Sequence, residues 1–224
     1  MDGLIRLAKS SIGAKAVMAI TGVALLGFVV VHLTGNLLIF SGEEALNEYA
    51  AWLHSLGNLL NVARAGLLAA VLLHIASAFR LTQLNRKARP VSYRMTAPEV
   101  SNYATRTMAW SGTIVLAFIL FHLAHFTYGI VQPEVFAWAN PDSPNVYGMV
   151  IAGFQSVPIA ASYILAIALL GMHLSHGVTS MFQSLGARHP RYDATLAKIG
   201  PTFAALYVLA NISMPVAVLA GWIA

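Results

Sequence analysis

Cysteine is absent from the chain, which excludes disulfides, thiolate-held iron-sulfur clusters and the C-x-x-C-H attachment of a c-type haem. Charge is nearly as scarce. Asp, Glu, Lys and Arg make up 9% of the 224 residues and hydrophobic residues 58%, a balance foreign to soluble globular domains and suited to a bilayer. The formal net charge of +5 sits in short basic clusters between long apolar runs, not along one face. It therefore points to membrane topology and away from nucleic acid.

The apolar runs set the fold class. A helix crossing roughly 30 Å of hydrocarbon needs about 20 mostly apolar residues at about 1.5 Å each. Five segments qualify, approximately 16–40, 59–81, 108–131, 157–182 and 202–223. This predicts an all-α integral membrane protein, one domain over residues 1–224, with a four-helix bundle plus a fifth helix and lipid as its surroundings. The connections read as short and polar, with Gly42 and Asn47 after the first run and Pro133, Pro141 and Pro144 after the third, so no soluble domain fits between spans. Arg6, Lys9 and Lys15 precede the first run as in a signal peptide, but no small-residue cleavage site follows, and the run reads as a retained span.

Lysine and arginine fix the expected orientation. Arg6, Lys9 and Lys15, then Arg80, Arg86, Lys87, Arg89, Arg94 and Arg106, then Arg188, Arg191 and Lys198 all fall on one side, which is read as cytoplasmic. Glu43, Glu44, Glu48, Glu134 and Asp142 fall on the other, where the only basic residue is Arg64. The N-terminus is then inside and the C-terminus outside.

Within the spans stand His32, His74, His122, His125, His173 and His176, and no Asp or Glu. Ionisable groups at membrane depth are costly, so each calls for a functional reading. Counting along each helix places His32 and His122 roughly 4 to 8 Å to the outer side of the bilayer centre and His74 and His173 a similar distance to the inner side. Two pairs result, offset by roughly 10 to 15 Å along the membrane normal. A pair of neutral imidazoles fills both axial positions of a haem iron and favours electron transfer over oxygen binding. Gly22, Gly27, Gly35, Gly112, Ala117 and Gly171 leave room for porphyrin edges. The blander alternative is that these histidines bridge helices by hydrogen bonds. His125 and His176, each three residues past a paired histidine, are expected to be supporting or quinone-side groups. His54 and His189 read as solvated. Arg64 either snorkels to the headgroups or pairs with a haem propionate or a quinone carbonyl, and Arg80 and Arg106 carry the same alternatives.

Together S-I-G-A-K from Ser11, H-L-T-G-N from His32, F-H-L-A-H-F from Phe121, G-M-H-L-S-H-G from Gly171 and F-Q-S-L-G from Phe182 resemble the cytochrome b558 subunit of succinate dehydrogenase and fumarate reductase, over nearly the whole chain. The resemblance implies two haem b groups, with His32 and His122 ligating the distal haem and His74 and His173 the proximal one. It implies a bacterial-type inner membrane and two cytoplasmic partners, a flavoprotein and an iron-sulfur subunit, which carry the FAD and the clusters. It also implies a quinone, menaquinone in similar members, handled near the distal haem with help from an acidic residue. Glu43, Glu48, Trp52, His54 and Arg64 are the candidates for that role. Two other readings stay open: a non-haem di-iron membrane oxidase built on the two H-x-x-H pairs, and a transporter or structural subunit whose histidines relay protons or bridge helices.

Overall fold

A computed structural model describes residues 10–88, 103–139, 145–187 and 189–224, with the backbone alone at 103–107. Arg6, Lys9, Arg89, Arg94, Pro141, Asp142, Pro144, Arg188 and the Arg106 side chain lie outside the described residues. Eight α-helices appear and no strand occurs among the described residues: α1 (Ser11–Asn36), α2 (Glu43–Ser55), α3 (Asn58–Ala88), α4 (Tyr103–Phe126), α5 (Pro133–Phe136), α6 (Val146–Gln155), α7 (Val157–Ser184) and α8 (Asp193–Leu219). Five of them, α1, α3, α4, α7 and α8, are long and apolar enough to cross a membrane, the arrangement of a multi-pass membrane protein.

The ends of these helices follow local chemistry more closely than hydropathy. Ser10 opens α1 by accepting a hydrogen bond from the Gly13 N–H at 3.0 Å, satisfying a donor that the first turn leaves free. At the far end of α3 the chain turns polar before it stops being helical. Arg86 and Lys87 occupy the last turn, where the helix dipole favours positive charge, so α3 outruns its apolar stretch. Conversely α4 stops at Phe126, short of the apolar Ile130 and Val131, because the Tyr128 and Ile130 N–H groups fold back onto the Leu123 and Ala124 carbonyls at 2.9 and 2.8 Å. Gly129 and Gln132 then take positive φ. Pro201, which reads as a helix opener, lies inside α8.

Two connections depart from the expected short polar loops. Gly42, at φ 104°, ends a 3-10 turn at Leu37–Ser41 and admits α2, whose first turn carries Glu43 and Glu44, again matched to the dipole. Beyond the third span the apolar α6 meets α7 across the single extended residue Ser156. Asn145 joins these pieces: its side-chain oxygen caps α6 at Gly148 N–H (2.6 Å) and accepts from Asn47 (3.3 Å), while its NH2 donates to Glu43 at 2.8 Å.

Helix α3 lies along α1, α4 along α7, and α7 along α8, while α1 and α4, or α3 and α7, do not pack backbone to backbone in this way. The α7–α8 contact is made close by glycine. A Cβ at Gly200 would run into the Ser175 carbonyl and the Thr179 hydroxyl, and one at Gly171 into the Val208 side chain. Small residues serve the same purpose wherever membrane helices must associate by packing instead of by hydrophobic exclusion from water. Helix α3, by contrast, buries Ser77 alone. The large-residue core lies at one end of the bundle, where α2 and α6 fold over α7 and α8 and bury Ile39, Leu46, Ile151, Phe154, Tyr163, Met214 and Val218. Between α1 and α4, and between α3 and α7, histidine rings make the contact.

Candidate functional site

Helices α1 and α4 each send one histidine toward the other, and the His32 and His122 ring centroids lie 5.8 Å apart with planes at 80°. Helices α3 and α7 do the same with His74 and His173, at 6.4 Å and 67°. An imidazole nitrogen binds a transition metal at about 2.0–2.1 Å, and its ring centre lies about 1.1 Å further back, so two imidazoles trans to one ion have centroids roughly 6.3 Å apart. The inner pair, at 6.4 Å, meets that spacing, and the outer pair, at 5.8 Å, lies slightly inside it. The two pairs are those expected from counting residues along the helices.

Hydrogen bonding fixes which ring nitrogen is free. Thr21 donates its hydroxyl proton to the Val17 carbonyl at 2.7 Å, so toward His74 Nδ1, 3.2 Å away, its oxygen accepts. Ser111 does the same, donating to the Met108 carbonyl at 3.1 Å and facing His173 Nδ1 at 3.3 Å. With Nδ1 carrying the proton, Nε2 of each ring keeps a lone pair, the tautomer a metal requires. Gly22 and Gly112, the residues after these hydroxyls, lie where an added Cβ would stand 3.6 and 3.5 Å from the His74 and His173 rings. At the outer pair the Asn36 amide donates to His32 Nε2 at 3.2 Å, marking that nitrogen as the acceptor too. A bound iron would take this electron pair from Asn36.

His122 is braced differently. Its Nδ1 lies 3.3 Å from the Tyr163 hydroxyl, which also meets His125 Nδ1 at 3.0 Å, and His125 Nε2 meets Gln132 Oε1 at 2.8 Å. Phe118, Phe121, Phe126 and Phe154 surround Tyr163 at centroid distances of 5.1 to 5.7 Å. His125 is 1% exposed, so leaving one of its ring nitrogens unpartnered there would cost about 1–3 kcal/mol. Gln132 has φ 54°, a left-handed conformation costing about 1–2 kcal/mol in a residue with a Cβ. The buried hydrogen bond is worth at least as much, which explains why the backbone tolerates the turn.

The other expected site residues lie further off. Arg64 is exposed on α3 and lines a cleft of about 300 Å³ between α1 and α3 together with Phe28, and Phe28 stacks on His32 at 5.3 Å. That places Arg64 near the outer pair. Glu43 is held by Asn145. Glu48, Trp52 and His54 are exposed along α2, and Trp52 stacks on Tyr49 at 5.9 Å. Arg80 is partly buried on α3, beyond His74 toward its C-terminal end. His176 follows His173 on α7, and His189 caps the 3-10 turn before α8 by accepting from Arg191 N–H at 3.2 Å. Among the described residues no group of three or more His, Cys, Asp or Glu side chains is placed to share a metal ion, which counts against a di-iron centre on the H-x-x-H pairs.

Thr21, Ser111, Tyr163 and Gln132 do not stand out in the sequence one at a time. A signal for the first two was present. Residues 19–33 and 109–123 share the pattern A-x-[TS]-G-x4-[GA]-F-x3-H-L, so α1 and α4 each carry a hydroxyl, a glycine, a phenylalanine and an outer histidine at equal spacings. The histidines of α3 and α7 then each meet the hydroxyl and glycine of their own helix pair. Compared with known proteins, the chain matches no family model, no curated protein and no solved structure.

Proposed function

We propose that this chain is the membrane-anchor subunit of a succinate:quinone oxidoreductase and carries electrons between an iron-sulfur partner and a membrane quinone through two bis-histidine b haems. The observation that carries this reading is the pair of histidine couples at close ring-to-ring distance, with a hydroxyl at Nδ1 of each inner ring. The resemblance to cytochrome b558 supplies the partners and the quinone class, and the distribution of lysine and arginine supplies the orientation. The basic N-terminus and the α3–α4 connection then face the flavoprotein and iron-sulfur subunits.

Haem b, when bound at both levels, supplies two one-electron carriers at different depths of the bilayer. The chain's own part is to hold and insulate. His32 and His122 would hold the outer group and His74 and His173 the inner one; Arg64 would pair with an outer propionate, and Arg80 and Arg106 would serve the inner group in the same way. Thr21 and Ser111 hold the inner rings in one tautomer and, with Gly22 and Gly112 alongside, at one angle. The phenylalanines around Tyr163 exclude water from the outer level, where hydrogen bonds gain strength. Glu43, Glu48, Trp52 and His54 line the outer surface where quinone chemistry would exchange protons.

The test is haem content. Purified protein is expected to show a b-type alpha band in the reduced-minus-oxidised spectrum and two haems per chain by haemochrome assay, while a colourless protein at full occupancy of the membrane would end the proposal. A finer result is expected at the inner level. Thr21→Val and Ser111→Ala each remove the acceptor of a ligand Nδ1–H, and loss of such partners weakens metal retention by about 10–100-fold. Inner haem lost during detergent washing at the wild-type rate would show that the hydroxyls do not hold the rings.

A further inference from the structure

The hydrogen bonds behind His122 have one consistent direction, and it starts at Gln132. An amide oxygen only accepts, so His125 Nε2, 2.8 Å from Gln132 Oε1, carries the ring proton. His125 Nδ1 is then a lone pair, and the Tyr163 hydroxyl donates its single proton to it across 3.0 Å. The Tyr163 oxygen is left to accept from His122 Nδ1–H at 3.3 Å, so His122 Nε2 stays bare toward His32. His125 and Tyr163 are 1% and 3% exposed, and no buried side-chain nitrogen or oxygen among the described residues lacks a partner.

We infer that Tyr163, held by His125 and Gln132, is a positioning residue that sets the electron-donor strength of His122 and so lowers the reduction potential of the outer haem. The inference rests on the proposed di-haem function and deepens it. An acceptor at Nδ1 makes an imidazole a stronger donor to its metal through Nε2, and a stronger donor favours the oxidised iron. At the inner level both histidines face aliphatic hydroxyls in the same way. At the outer level only His122 is backed by this relay, His32 being met at Nε2 by Asn36. The two centres are therefore unlike by construction.

The experiment is a redox titration of the purified full chain, wild type against Tyr163→Phe, which keeps the ring and deletes the hydroxyl. The outer haem is recognised as the spectral component that His122→Ala removes. The expected result is two haems per chain, a raised midpoint potential for the outer one and an unchanged inner one. Both haems retained with the outer potential unmoved, or both potentials shifted equally, overturns the inference. Where Tyr163→Phe sheds the outer haem, Gln132→Leu decides, since it touches neither His122 nor Tyr163: a smaller rise of the outer potential supports the relay and no change overturns it. Wild-type protein without haem would overturn the di-haem function itself, whereas two haems with an unresponsive Tyr163→Phe overturns this inference alone.

Discussion

Replacing His122 with alanine is expected to remove one of the two haems and leave the other with its spectrum intact. The remaining imidazole at that level, His32, would be the sole histidine left to hold a haem there, where two rings lay at a 5.8 Å centroid distance. Loss of a mere hydrogen-bond partner of a metal ligand costs about 10–100-fold in retention, and loss of the ligand itself exceeds that, so the level empties on purification. His32→Ala should remove the same spectral component, and His74→Ala and His173→Ala the other. Electron delivery to quinone then collapses in all four. His125→Gln is the informative control. Under the di-haem reading it keeps both haems, because His125 is engaged with Tyr163 and Gln132, whereas a di-iron centre on His122 and His125 would be lost. Two haems retained in His122→Ala would remove that residue from the ligand set.

Gly200→Leu is expected to be the most damaging change outside the histidines. A Cβ at this position meets the Ser175 carbonyl and the Thr179 hydroxyl of α7, and a backbone carbonyl cannot swing aside as a side chain can. The two helices must part. In lipid their association depends on close packing, and overpacking of this kind costs about 1–3 kcal/mol or more. For a chain of this size the upper value corresponds to a fall of about 6–12 °C in Tm. Helix α7 carries both His173 and Tyr163, so thermal bleaching of both haem bands in detergent is the measurement, with Gly200→Ala giving a smaller fall. An unchanged Tm for Gly200→Leu would mean that α7 and α8 are not in contact at this point.

The spans and the pairing of histidines were legible in the sequence because both follow from fixed helix geometry: a rise per residue sets length and depth without any knowledge of packing. The connections were not. Gly42 and Asn47 carry the chemistry of a turn, and Gly42 does make one, but Asn47 instead sits within α2 and accepts from the Tyr147 N–H at 3.0 Å. Helix α6 was hidden because Pro141 and Pro144 precede it in the sequence and Gly148 and Gly153 interrupt its apolar run. Gly153 in fact makes room for the His125 and Phe126 rings, which a Cβ there would approach to 3.1–3.2 Å. Tyr163 gave no signal because a tyrosine in an apolar run is ordinarily packing, and only its tertiary position between two histidines shows otherwise. His125 was read as a supporting or quinone-side group from its three-residue offset, and its ring meets Tyr163 and Gln132. The outer acidic candidates on α2 were chosen by side of the membrane alone, which says nothing about distance to the histidines.

The repeat shared by α1 and α4 has a bearing on how the protein comes together. Each two-helix hairpin, α1 with α3 and α4 with α7, owns one imidazole at either depth, and neither owns a complete clasp. On the proposed function, a haem held at either level would bridge the seam between hairpins, working as a rivet through two plates. Pigment retained by the purified protein would then gauge whether the two hairpins have met.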